Sequence, residues 1–576
     1  MTQVVFYIKG DISMRYAHYL SYTALLLCLT ILSACGGSDS ASNNTPVPAS
    51  TVPVPTTVVS GIVFAGPASG ATVTAKTTAG ALVATSSTVS DSNGAFTIAV
   101  PTATLSSDLI FATSGSGATF PDEATGASTT LGTLSVFVPA GTLSASSTIV
   151  LDPSSTIVQK LIAGGKTKPA AFTAYSSSFG YKPDFTIKPS FANLSSVATT
   201  PQRLAGFRAA AFSQLTKDIK DPSTGSGIGG ADKQFELIQA LADDLSDGTL
   251  DGKKSGAMVK TASNYVIPED VQNQYNASLI NFQNSTNNKS KLKPEQINVP
   301  VSGRISLTPT YRVEYVPPAN GELVSADTFQ LKISKRSDGT AATGLAESIV
   351  INPYMVMGAM GMGSHWPNVI TETATPGVYS GTAHYSMETY WGLDMYWKLN
   401  VFIGTETAAF YPNISAFKNM DTVSVSYYSS SDKTTTTGTT LRAYRLWRES
   451  LIAGTGGKYD LAIFVSAPDG TGTYGSVTSS KNYPVYSGLT WSSTSLVIST
   501  LKVQVYDGAN WVDLTPVGTT GKYTASGLSL TPGTQGSLYV RLLVNGTPYT
   551  NAKTGPAWDG SNLVTSNAVQ TFKATP

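Results

Sequence analysis

Thiols, imidazoles and charges are all scarce in this chain. Its 576 residues include two cysteines, three histidines and only 13% Asp, Glu, Lys and Arg combined. With only Cys28 and Cys35, there is no disulfide framework and no thiolate-built metal centre. With only His18, His365 and His384, Ser-His-Asp or Cys-His catalysis has few places to sit, and no G-x-S-x-G elbow marks a serine as nucleophile. The 37 basic and 36 acidic residues leave a net charge of +1, with no basic stripe to neutralise phosphates, which excludes nucleic acid as a partner. Carboxylates converging from distant loops, as in a glycosidase, are the one catalytic arrangement left open. What the chain does have is Ser, Thr and Gly between short apolar runs, the composition of β-rich domains with many turns. Its length predicts two to four domains.

The N-terminus combines Arg15, an apolar run from Ala24 to Leu32, and Leu32-Ser33-Ala34-Cys35. The run is short for a membrane span of about 20 residues, so it reads as a secretory signal. It resembles a bacterial lipoprotein signal with its lipobox. That resemblance implies cleavage before Cys35, a diacylglycerol on the Cys35 thiol and an acylated amino terminus. Three acyl chains would hold the protein at a bilayer firmly, since each buried methylene contributes about 0.8 kcal/mol. Residues 14–34 already make a signal of ordinary length, which leaves Met14 as an alternative start. Gly36, where aspartate retains lipoproteins at the inner membrane, favours the outer membrane of the bacterial envelope by the same resemblance. After such processing neither cysteine is free, so any metal site must use Met, His, carboxylate or backbone oxygen.

Residues 36–57 are polar, punctuated by proline and without apolar period, as in a flexible tether. Residues 58–148 alternate apolar and polar in short runs between turns. Gly61, the Pro67 to Gly70 turn, Ala71-Thr72-Val73 and Asp91-Ser92-Asn93-Gly94-Ala95-Phe96 resemble the carboxypeptidase regulatory-like β-sandwich, a family mostly of non-catalytic spacers and binding modules. From 149 to 297 the period becomes helical. Asp152-Pro153 and Thr200-Pro201 read as helix starts, followed by Ile157, Leu161 and Ile162 in one helix and Leu204, Phe207, Ala211, Leu215 and Ile219 in the other. Phe235 to Leu245 and Val271 to Phe282 give two more amphipathic stripes, and a small helical domain is expected. Beyond 298, Phe329-Leu331-Ile333, Leu399-Val401-Ile403, Ile463-Val465, Val503-Val505 and Val540-Leu542-Val544 alternate like half-buried strands. "PGVYSGT" and "WKLNVFIG" are loosely echoed by "TGKYTASGL" and "YVRLLVNG", which predicts two β-sandwiches, 298–405 and 406–576. The expected fold is multidomain and mainly β, with Ig-like or prealbumin-like sandwiches and an inserted helical domain.

Six of the ten methionines lie between Met355 and Met395. The densest stretch is "PYMVMGAMGMGSHWPNV". An extended segment puts Met355 and Met357 on one side, and likewise Met360 and Met362, while Gly358, Gly361 and Gly363 permit tight turns. Thioether sulfur is soft and neutral and suits Cu(I); His365, or His384 with Met387 on the following strand, could complete a three- or four-ligand site. Methionine is equally the adaptable filler of irregular cores, and Trp366, Tyr390, Trp391, Tyr396 and Trp397 stand near in sequence as ring partners. Met357, Met360-Gly361, Gly363-Ser364, Gly377-Val378-Tyr379, Met387 and Trp397-Lys398-Leu399 resemble the FixH/YtkA-like β-sandwich family. That resemblance implies copper handling or respiratory-oxidase assembly. The chain departs from the family pattern at Val356 or Ala359, where proline is usual, and at Met362, where histidine would fall.

Two other signals point away from chemistry. Gly225 to Gly230 fits G-x-G-x-x-G, but a helix rather than a strand precedes it. "DDLSDGTLDGK" has Leu245 within it, and Lys254 directly after it, where a calcium loop needs oxygen ligands. Two expectations follow. One is a lipid-anchored, non-enzymatic envelope protein whose methionine segment binds copper or a metalloprotein partner. The other is a surface scaffold or adhesion lipoprotein whose sandwiches present Trp391, Trp447, Trp491, Trp511 and Trp558 to glycans or proteins.

Overall fold

The computed structural model describes residues 54–576, apart from 115–116, 193–197, 298–302, 359, 364–369, 390–391, 417–420, 434–440, 469–473, 488–489, 552–555, 558, 560 and 563. The fold is mainly β, with sandwiches and an inserted group of helices. Strands β1 (Thr56–Val63), β2 (Thr72–Thr77), β3 (Leu82–Thr85), β4 (Ala95–Pro101), β5 (Leu109–Ser114), β6 (Ser135–Val138) and β7 (Thr148–Leu151) form two sheets, in the orders β4-β1-β7 and β3-β2-β5-β6. The Asp91-to-Ala95 turn is built as its sequence suggests: the Asp91 carboxylate accepts the N–H groups of Asn93 and Ala95, both at 2.8 Å. Gly94 has φ +80°, and a Cβ there would lie 2.3 Å from the Val63 carbonyl, so only glycine fits.

Helix α1 (Pro153–Ala163) starts where Asp152 accepts the Ser155 N–H at 2.6 Å and Pro153 occupies the first turn. Then come α2 (Lys168–Phe179), α3 (Thr200–Asp218), α4 (Gln234–Asp244) and α5 (Val271–Gln283). These helices pack on one another, through Phe179, Phe212 and Tyr275, and on the first sandwich. One buried cluster runs from Val59, Phe96 and Phe111 through Ile157, Phe212, Leu241 and Tyr275 to Ile297, so the packing crosses residue 149 without a break.

The next two sandwiches are a tandem pair. The first comprises β8 (Ile305–Leu307), β9 (Tyr311–Val316), β10 (Ala326–Lys335), β11 (Ile349–Met357), β12 (Met360–Gly363), β13 (Thr371–Glu372), β14 (Val378–His384), β15 (Met395–Ile403) and β16 (Glu406–Phe410). The second comprises β17 (Ser424–Tyr427), β18 (Tyr444–Ala453), β19 (Tyr459–Pro468), β20 (Leu501–Tyr506), β21 (Trp511–Asp513), β22 (Thr515–Pro516), β23 (Lys522–Leu528), β24 (Gly536–Val544), β25 (Thr547–Pro548) and β26 (Gln570–Ala574). Their sheets have the same order: β8-β9-β10-β14-β13 against β17-β18-β19-β23-β22, and β12-β11-β15-β16 against β21-β20-β24-β25, with β26 added beside β24. Local chemistry repeats too. Gly377 and Gly521 both have positive φ and both accept a backbone bond, from Ile333 and Val465 respectively. Two residues on, the hydroxyls of Tyr379 and Tyr523 donate to the carbonyls of Ala342 and Val477. The tandem pair is joined to the helices through α5, where the Asn273 amide donates to the carbonyls of Ile305 at 2.6 Å and Ala409 at 3.2 Å.

Candidate functional site

The methionine segment forms one end of the first module's four-stranded sheet. Antiparallel alternation turns Ile351 and Met355 of β11 inward, and the β11–β15 ladder sets Met355 opposite Trp397 and Met357 opposite Met395. On the other side of β11, β12 sets Met362 opposite Met355 and Met360 opposite Met357 in its backbone register. Residues directly opposite in such a ladder have Cβ atoms about 4.5–5.5 Å apart. Met355 has no exposed surface and belongs to the core, alongside Trp397. Met357, Met387 and Met395 are half-buried and pack on the edge of that core. Trp397 ties the group together: its indole N–H donates to the Met387 carbonyl at 2.9 Å, and Tyr385 meets its ring edge-on at 5.0 Å.

His384 is not part of this group. It ends β14 on the side of the sheet that faces the second module, with no exposed surface. Its imidazole stacks on Phe464 at 4.8 Å, lies 5.2 Å from Trp447, and has Nε2 3.4 Å from a Glu449 oxygen. Burial pushes the Glu449 carboxyl up, but His384 and Lys522 together outweigh burial and hold it below the ordinary range. His384 therefore packs the joint between the two modules. His365 and Cys35 lie outside the described residues.

Of the residues predicted from sequence, the structure gathers Met355, Met357 and Met387, and the β12 register brings Met360 and Met362 to the same end. The residue that sequence reasoning missed is Met395. The signal was legible: Met395 stands two residues before Trp397, so strand alternation puts both on one face. Thioether sulfur is the donor type a soft monovalent cation prefers; Met357 and Met395 are half-buried opposite each other, whereas Met355 is sealed in hydrocarbon and packs the core. Among the described residues no cluster of three His, Cys, Asp or Glu side chains is suited to a metal.

The tryptophans divide differently. Trp447 is fully buried, with its N–H on the Ser466 hydroxyl at 3.2 Å, and Trp511 carries the Arg541 guanidinium 4.4 Å from its ring centre. Trp391 and Trp558 lie outside the described residues, as does the side chain of Trp491. The glycines at 225–230 fall in the connection between α3 and α4. Asp244 in the acidic stretch that follows is buried and accepts the N–H groups of Asp251 and Gly252, a helix-ending turn. A groove of about 1270 Å³ opens between the β6–β7 connection, α2 and residues 182–186, lined by Phe137, Phe172, Phe185, Lys168 and Lys182. The chain matches no protein-family profile and no curated protein.

Proposed function

We infer that the chain is a non-enzymatic, lipid-anchored protein of the bacterial envelope, and that the methionine end of its first tandem module binds Cu(I). One observation carries the copper reading. Strand β11 has nine residues where its counterpart β20 has six, and Met355 and Met357 occupy the extension. The extension adds two thioethers that the shorter copy lacks: Met355 continues the core, whereas Met357 lies at its half-buried edge, where its sulfur is not needed to fill the sandwich. Met357 and Met395, opposite one another and half-buried, are the first ligands, with Met360 by register and Met387 beside them. Bound there, Cu(I) would be held by neutral sulfur in a site that an oxidising compartment leaves intact, which thiolate would not survive. The anchor reading rests on the sequence around Cys35.

The test uses a soluble form beginning after Cys35 and a chromophoric Cu(I) chelator in competition. The parent protein should withdraw close to one equivalent of copper, and a Met357→Leu, Met360→Leu, Met395→Leu variant should withdraw none while unfolding at a similar temperature. Equal withdrawal by parent and variant would overturn the reading.

A further inference from the structure

The outward face of the sheet β12-β11-β15-β16 has a counterpart, position for position, in the second module. Ile349 opposite Ile403 starts one ladder and Leu501 opposite Val544 starts the other. Asn352 therefore corresponds to Gln504, Tyr354 to Tyr506, Lys398 to Tyr539, Asn400 to Arg541, and Gly363 to Trp511.

In the second module this face is closed on itself. Gln504 bonds to both Arg541 and Asp513, Lys502 pairs with Asp513 at 2.7 Å, and the Arg541 guanidinium covers Trp511. The first module does not make these bonds among the described residues. Gly363 offers no side chain where Trp511 stands. Asn352 and Asn400 are directly opposite each other and half-buried, and among the described residues neither side chain makes a hydrogen bond. Lys398 forms no ion pair among the described residues, and burial pushes its ammonium below the ordinary lysine value. Tyr354, its cross-strand neighbour, is 36% exposed, and Val350 on the same face is 42% exposed.

An ammonium that has lost part of its water without gaining an ion pair is costly and calls for an outside partner, and the two amides beside it reach solvent with no protein bond to give up. The partner must bring an anion for Lys398, paired hydroxyls for the two amides, and a flat apolar face for the phenol ring, over a floor that Gly363 keeps low. An acidic sugar supplies all three. We propose that this face binds an acidic polysaccharide, with a uronate carboxylate at Lys398, ring hydroxyls at Asn352 and Asn400, and the C–H face of a pyranose against Tyr354. The site lies on the outward side of strands whose inward side carries Met355, Met357 and Met395, so it neither needs the copper reading nor falls with it.

Affinity electrophoresis of the soluble form beginning after Cys35, in gels containing polygalacturonate, tests the proposal. The parent should be retarded, and Lys398→Gln should weaken the retardation at least tenfold. Gly363→Trp, which installs the second module's ring at the corresponding place, should weaken it to the same degree. Thermal unfolding of each variant verifies that the fold persists, and Asn400→Ala, a smaller change, serves if either fails to fold. No retardation of the parent, equal retardation of Lys398→Gln, or equal retardation by dextran or by polyglutamate would overturn the proposal. So would a concentration-dependent dimer in sedimentation velocity that Lys398→Gln abolishes, because the occupant would then be a second copy of the chain.

Discussion

The two tandem modules share strand order, ladder register, a positive-φ glycine and a tyrosine that bonds the same carbonyl position, yet they use their remaining positions in opposite ways. The second module spends its polar groups internally. Arg442 and Asp432 form a buried ion pair at 3.0 Å with the Tyr444 hydroxyl on the same carboxylate, and the Gln504–Arg541–Asp513 ladder closes its outward face. The first module keeps sulfur at a lengthened strand end and, among the described residues, leaves amides and a lysine unpaired on its outward face. Inward positions are under the same packing demand in both copies, because each must fill a sandwich about 10 Å thick. Strand ends and outward faces carry no such demand, so that is where two copies of one fold can come to differ in function.

The largest expected effect that separates the modules is at their buried charges. Arg442→Ala leaves Asp432 buried and unpaired and should cost about 3–5 kcal/mol in urea unfolding, whereas Arg442→Met with Asp432→Leu should recover most of that loss. The tyrosines come next. Tyr379 donates to Ala342 at 2.6 Å and also accepts the Leu345 N–H at 3.1 Å, whereas Tyr523 makes one bond among the described residues, of 3.4 Å to Val477. Tyr379→Phe should therefore cost roughly 1–3 kcal/mol and Tyr523→Phe about 0.5 kcal/mol by the same measurement. Equal losses would mean that the repeat is closer than its hydrogen bonds imply.

The pH dependence should differ in sign. Burial pushes the Asp327 carboxyl of the first module up to about 6, against bonds from the Ser325 hydroxyl and the Leu323 N–H. The folded state then holds a proton that the unfolded chain has lost, so this contribution is full below about pH 4 and fades as pH rises through 6. Burial also pushes the Asp421 carboxyl of the second module up, but bonds from Gln535 and Thr575 and the charge of Arg448 outweigh it and hold it low. Its contribution is present above about pH 4 and is lost on acidification. Asp327→Asn should flatten the fall in unfolding temperature between pH 5 and pH 7.5 expected of the first module, and Asp421→Asn should flatten the fall below pH 4 expected of the second; the same slope change for both would contradict the assignment.

Strands and helix starts were legible because they depend on local pattern. Alternation marked β10, β15, β19, β20 and β24, and Asp152-Pro153 marked α1. Helix α2 was not found: "KPAAFTAYSSSF" has three successive serines, poor helix formers, and almost no amphipathic stripe. Thr167 before Lys168-Pro169 was its one readable signal, and in the structure Thr167 caps the helix by accepting the Ala170 N–H. The merging of the helices with the first sandwich was not legible either, because a stripe on a helix does not say which surface will cover it. At the candidate site, the sequence placed the methionines on strands, but only the β11–β15 register pairs Met357 with Met395, and only the tertiary fold turns His384 toward Phe464. Long-range pairing is what a single sequence does not carry.

Copper K-edge absorption of the Cu(I)-loaded soluble protein tests most directly whether the lengthened strand end is a sulfur site. The account predicts a reduced-copper edge and a first shell dominated by sulfur, lost in the Met357→Leu, Met360→Leu, Met395→Leu variant. A shell of nitrogen and oxygen alone, or an unchanged spectrum in the variant, would contradict it.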